Sequence, residues 1–308
     1  VGGRPVVVTD STASLPPALV AERGLVVVPL QVVIGSEVVA EGDEGATPER
    51  VAEALRAFVP VSTSRPSPES VLAAYVEAAR ASGTDELVSV HLSGDMSGTA
   101  ESAHLAAREA ATRHGLRVLV VDTRQVGVAT GYAALAAADV LDAGGSADEA
   151  AAAARRRAAA ATSLFYVDTL EHLRRGGRIG AAAALLGSAL AVKPLLRIED
   201  GRVGSLEKVR TSARALSRLE DLAVEAAALA DDGLPGEDDE GLHHEQVPVD
   251  VGVFHLANPD RAAALAAALG ERLADRLEGR EVWCGELGAV LGAHVGPGMV
   301  AVCTSPRV

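Results

Sequence analysis

Short valine-rich runs alternate with alanine-rich helical stretches along this chain, and that alternation constrains its fold more than any other feature. Strand candidates fall over 5–9, 25–30, 87–91, 117–122, 164–168, 195–199, 249–256, 281–284 and 299–303, and several are near-continuous apolar runs that read as strands buried on both faces. Helical patterns fall between them, over 16–23, 48–58, 68–81, 98–114, 125–143, 147–161, 212–230 and 259–277. Pro16, Pro48, Pro68 and Pro259 stand near helix starts, with Ser14, Thr47, Ser67 and Asn258 placed to cap them. The expected class is therefore α/β, two α/β domains with mostly parallel sheets. A chain of 308 residues suits two domains. The Gly144-Gly145 stop before a new strand predicts domains at 1–160 and 161–308.

Charge and side-chain inventory remove several function classes. The formal net charge is −14, a field that repels nucleic acid and anionic membrane surfaces. Three Phe, three Tyr and one Trp are too few for a base-stacking platform. Two cysteines, Cys284 and Cys303, make neither a disulfide framework nor a metal-ligand spacing, and a reducing cytoplasm is the expected location. No run is apolar enough to predict a signal peptide or an integral membrane span. The most apolar stretch, 179–192, reads as a buried helix bounded by Arg178 and Lys193. Residues 231–246 are acidic and glycine-rich and read as a surface loop, with His243-His244 solvated in it rather than poised for a metal.

Six hydroxyl-, glycine- or arginine-rich segments sit where loops between elements are expected. They are Thr9-Asp10-Ser11-Thr12, Thr63-Ser64-Arg65-Pro66-Ser67, Leu92-Ser93-Gly94-Asp95-Met96-Ser97-Gly98-Thr99, Leu173-Arg174-Arg175-Gly176-Gly177-Arg178-Ile179, Val209-Arg210-Thr211, and His294-Val295-Gly296-Pro297-Gly298. Each alone reads as a turn or helix cap. In common, hydroxyls and arginines supply donors for a carboxylate or phosphate. The Gly296-to-Ala301 match to a dinucleotide fingerprint fails, because too little chain follows for the helix and strand it requires.

In this order, together with Lys193-Pro194-Leu195-Leu196, these segments resemble the DegV family of bacterial fatty-acid-binding proteins along nearly the whole chain. The resemblance implies two α/β domains with the ligand at the interdomain region. A long-chain fatty acid would lie in an apolar tunnel with its carboxylate held by hydroxyls. Thr63 and Ser93 would hold that carboxylate near His294, with Ser97 and Gly94 beside them. It also implies a partner, a fatty-acid kinase subunit that converts the presented acid to an acyl phosphate. Arg210, His294 and Arg178 would then serve phosphoryl transfer or docking. The chain departs from the family in having Arg65 where Gln is common and Gly94 where a second Ser is common.

The expectation is thus a lipid-binding carrier that is not itself an enzyme and needs no cofactor or metal. Two alternatives remain open at this stage. One is an autonomous hydrolase or acyltransferase using Ser93 or Ser97 with His294, although no Gly-x-Ser-x-Gly elbow is present. The other is a phosphosugar or ketose-binding module, which requires a wet, charged cleft.

Overall fold

The computed structural model describes residues 3–185, 193–231 and 246–307. Its first sheet has the order β2 (Val26–Val28), β1 (Val6–Asp10), β6 (Glu86–His91), β7 (Arg117–Asp122), and every pairing in it is parallel. Successive valines of β1 point to opposite faces, and both faces are buried. Val6 and Val8 pack on α3 (Pro68–Ser82) and α4 (Thr99–His114). Val7 faces α5 (Val128–Asp142) and α6 (Ala147–Ala160). Thr47 and Ser67 cap α2 (Pro48–Arg56) and α3 through their side chains, as expected. Ser14 and Asn258 do not cap, because α1 (Pro17–Glu22) starts behind Pro16 and α9 (Pro259–Arg272) carries no side-chain cap bond.

A six-stranded sheet follows, with the order β10 (Arg202–Val209), β9 (Lys193–Glu199), β8 (Thr162–Tyr166), β13 (Val300–Pro306), β11 (Val249–His255), β12 (Trp283–Glu286). Only β11 and β12 run parallel; the remaining pairs are antiparallel. Parallel pairing therefore describes the first sheet and not this one. A cause is visible at Asp200 and Gly201, whose φ values of 50° and 77° make the tight turn that an Asp-Gly pair favours and fold β9 directly back onto β10. Helices α8 (Ser212–Leu229), α9 and α10 (Ala274–Leu277) cover its outer face. The inner face meets α5, so α5 and α6 lie between the two sheets.

Three further short strands, β3 (Gln31–Ile34), β4 (Glu37–Ala40) and β5 (Val61–Ser64), form an antiparallel sheet. It packs on α2 and α11 (Ala289–Val295). A five-residue helix, α7 (Glu171–Arg175), precedes the Gly176-Gly177 turn. The helix expected over 179–192 is a 3-10 turn over Gly180–Leu185, and the rest of that segment lies outside the described residues. The acidic loop expected over 231–246, with His243 and His244, also falls outside them except at its ends. There Arg276 pairs with Asp231 at 2.5 Å, and the Val247 amide donates to the same carboxylate at 3.0 Å.

A fully buried polar chain sets the loops at the carboxyl ends of β1 and β6. Tyr75 donates to Ser89 at 2.7 Å, Ser89 meets His91 Nε2 at 2.7 Å, and His91 Nδ1 meets Asp10 at 3.0 Å. Asp10 also accepts the amides of Thr12 (3.1 Å) and Leu92 (3.0 Å). Replacing Asp10 by Ala strands several buried donors at about 1–3 kcal/mol each. Asp10→Ala is expected to cost at least about 3 kcal/mol. In urea denaturation the midpoint falls with an unchanged slope; a midpoint within error of the wild type would contradict this role.

Candidate functional site

A cleft with a cavity volume of about 120 Å³ opens between the six-stranded sheet, α5, α11 and the 92–97 loop. Phe165, Ala301, Phe254 and Met299 line it from the sheet, and Leu92 and Met96 from the loop after β6. Leu287, Val290 and Leu291 close it around α11, and Ile198 and Val203 from the β9–β10 hairpin. These walls are apolar. At one end Thr63 meets His294, the Arg178 charge lies near the same ring, and Ser97 follows the Met96 that Arg178 binds; Ser163 on β8 is a further polar lining residue.

That end is assembled from four separate elements. Thr63 stands on β5, in register with Val32 of β3, so a strand presents its hydroxyl. His294 lies on α11, whose first turn is held by Glu41: the Val290 amide donates to Glu41 Oε1 at 2.8 Å. Burial raises the Glu41 pKa, and the bonds from Ser11 and Val290 oppose that rise. Arg178 donates from Nε to the Met96 carbonyl at 3.0 Å and from Nη1 to the Gly176 carbonyl at 2.6 Å. It thereby ties the Gly-Gly turn to the loop after β6. Gly176 permits the approach of His294, since a Cβ there would lie 2.2 Å from His294 Nδ1.

His294 Nε2 and Thr63 Oγ1 are 2.8 Å apart. Nδ1 of the ring is buried without a hydrogen-bond partner among the described residues. An orphaned buried N–H is rarer than an orphaned acceptor, which favours the tautomer with the proton on Nε2. In it His294 donates to Thr63, and the Thr63 proton points elsewhere. Burial, and then the nearby Arg178 charge, hold the His294 pKa down at about 4, so the ring is neutral at pH 7.

The sequence-based candidates separate here. Thr63, Ser97, His294 and Arg178 come together in the cleft, whereas Ser93 and Gly94 are not among its lining residues. Ser93 is fully buried; its hydroxyl donates to the Gly201 carbonyl at 2.7 Å and accepts the Asp95 amide at 3.2 Å. Its proton locks the loop after β6 to the β9–β10 turn. Gly94 is exposed, and its amide donates to Asp122 at 3.1 Å. Arg210 is not among the lining residues either; it is exposed between β10 and α8. Arg65 binds Glu101 at 2.5 Å. Ser97 meets Thr99 at 2.8 Å, so neither serine of the hydrolase alternative is the partner of His294.

Glu41 and the apolar wall residues escaped the sequence analysis. A lone Glu after a short strand carries no motif, and a wall residue is recognised only once strand register is known. Two further features bear on the chemistry. Burial pushes the Cys303 thiol up to about 12, making it a neutral wall group. Among the described residues there is no group of three or more metal-ligating side chains and no helix long and apolar enough to cross a membrane.

Comparison with known proteins gives a consistent result. The family model described as "Uncharacterised protein, DegV family" matches residues 5–307. A DegV domain-containing protein of Streptomyces coelicolor, SCO2569, is 49% identical over 302 residues, covering 98% of each chain. The protein DegV of Bacillus subtilis is 31% identical over 298 residues, covering 96% of this chain and 97% of its own. Among solved structures, a Thermus thermophilus DegV family protein described by its fatty acid binding superposes with a TM-score of 0.82 at 32% identity, over 98% of this chain and 99% of its own. Bacillus subtilis DegV, described as a fatty acid binding protein, superposes with a TM-score of 0.83 at 28% identity, over 99% and 100%. With its two-domain α/β fold and a family match over nearly its full length, this chain belongs to the DegV family.

Proposed function

We propose that this protein is a non-catalytic carrier that binds a long-chain fatty acid in the cleft and presents its carboxylate to a partner kinase for acyl-phosphate formation. The observation that carries the reading is the cleft, apolar along its walls and polar where Thr63 meets His294 near Arg178. Each methylene buried against such walls contributes about 0.8 kcal/mol, so a long chain supplies most of the affinity. The carboxylate needs donors. The Thr63 proton, directed away from His294, is one; Ser97 and the Arg178 guanidinium stand beside it. Relatives described as fatty-acid-binding share the fold at 28–32% identity, which supports the same ligand here.

Ser93 enters this reading as an organiser of the head-end loop rather than a carboxylate donor, because its proton is spent on Gly201. Arg178 and His294 stand at the end where the acyl phosphate would form. Arg210, exposed at the β10–α8 junction, suits contact with the kinase. The apolar walls weigh against a phosphosugar.

Protein purified from a bacterial host is expected to release a fatty acid on denaturation, seen by mass spectrometry. No acid in the extract and no uptake of added acid would overturn the carrier reading. Thr63→Val removes one hydrogen bond to a charged group and is expected to weaken binding about 10- to 100-fold, read by displacement of a fluorescent fatty acid. Unchanged affinity would remove Thr63 from the head-group site.

The neutral state of His294 also predicts a pH dependence. Its pKa falls from 6.5 to about 4 on folding. Between those values the unfolded chain holds a proton that the folded chain does not, so stability falls as pH drops through that window and levels off below it. The full shift corresponds to roughly 3 kcal/mol. Urea denaturation of the wild type and His294→Gln across that range should show a shallower pH slope in the variant; identical slopes would refute the buried neutral ring.

A further inference from the structure

The cleft has a second end. Alternate residues of β8, β13 and β11 form rows across the inward face of the six-stranded sheet. Phe165, Ala301 and Phe254 make one row; Ser163, Cys303 and Gly252 make the next, with Cys303 in register with both neighbours. All six line the cleft. The next positions on that face, Asp250 and Ser305, are paired with each other and do not line it. They bind Arg157, which ion-pairs with Asp250 and donates from Nε to Ser305 at 2.7 Å. Arg157 is only 5% exposed.

Tyr132 of α5 roofs this row. It is 3% exposed, packs on Trp283 at 5.1 Å between ring centroids, and has the Arg157 guanidinium 5.7 Å from its own. Gly252 makes the closure possible. A Cβ there would lie 3.0 Å from Val128, 3.1 Å from the Phe254 ring of the same strand and 3.2 Å from the Tyr132 hydroxyl, so a bare backbone lets Val128 and Tyr132 of α5 come down onto the strand. A ligand tail pushed past the row would have to part the buried Arg157–Asp250 pair, a loss that a few more buried methylenes do not offset.

We propose that the Ser163–Cys303–Gly252 row under Tyr132 is the blind end of the sleeve and sets the length of acyl chain the protein accepts. The inference rests on the fatty-acid reading above and adds what selects among fatty acids. The test uses the wild-type protein loaded with a fatty acid carrying a photoreactive diazirine on its terminal carbon. After irradiation and digestion, label is expected on Tyr132 or on the strands Thr162–Tyr166, Val249–His255 and Val300–Pro306. Label confined to other segments overturns the gauge. In parallel, Cys303→Leu and Ser163→Leu each fill the row, and the preferred length in a series of saturated acids should fall by about two carbons. An unchanged optimum in a folded variant also overturns it. Thr63→Val, at the opposite end, should weaken all lengths alike and leave the optimum in place. Failure of the wild type to take up an acid of any length sinks the fatty-acid reading itself, whereas uptake with the tail label elsewhere sinks only the gauge.

Discussion

Two sheets share one helical layer in this protein, and the cleft depends on how thin that layer is. Helix α5 is buried on nearly every side: Ala133, Ala134, Ala137 and Ala138 face the parallel sheet, while Val128, Ala129 and Tyr132 face the six-stranded one. A helix enclosed in this way has no polar face to spare and must carry small side chains where both neighbours come close. The first turn of α5 contributes Val128 to the cleft, so the same helix that joins the sheets also bounds the space between them. Enlarging an alanine on α5 would push packed layers apart and deform the cleft from a distance.

The second constraint is that polar groups at the edge of an apolar space need partners. The structure does this by drawing partners from distant parts of the chain. Thr63 and His294 are 231 residues apart in sequence and 2.8 Å apart in space. Glu41 holds the start of the helix that carries His294, and Asp10 holds the loops after β1 and β6. Because His294 is kept neutral, that end of the cleft carries the Arg178 guanidinium charge without a buried imidazolium beside it.

Elements that bury one simple pattern were legible in the sequence. The strand over Arg117–Asp122 and the helices behind Thr47 and Ser67 follow from apolar runs and from proline after a capping hydroxyl. The short strands β3, β4 and β5 did not stand out, since four residues carry too little periodicity to separate them from loop. Strand β10 had a usable signal in Asp200-Gly201, a hairpin pair whose meaning is plain once both φ values are seen to be positive. At the site, motif resemblance singled out Thr63, Ser97, His294 and Arg178, which do converge. It could not show that the Ser93 proton is spent on Gly201, 108 residues away.

The sequence by itself determined the α/β class and the family, because these follow from local periodicity and ordered motifs that need no long-range contact to be read. Tertiary structure alone decided the antiparallel pairing of the second sheet, which hydroxyls face the cleft, and where the cleft stops. Those outcomes turn on strand register and side-chain burial. A shift of one residue in register would turn Ser163, Cys303 and Gly252 to the other face, and no local pattern in the chain encodes that choice.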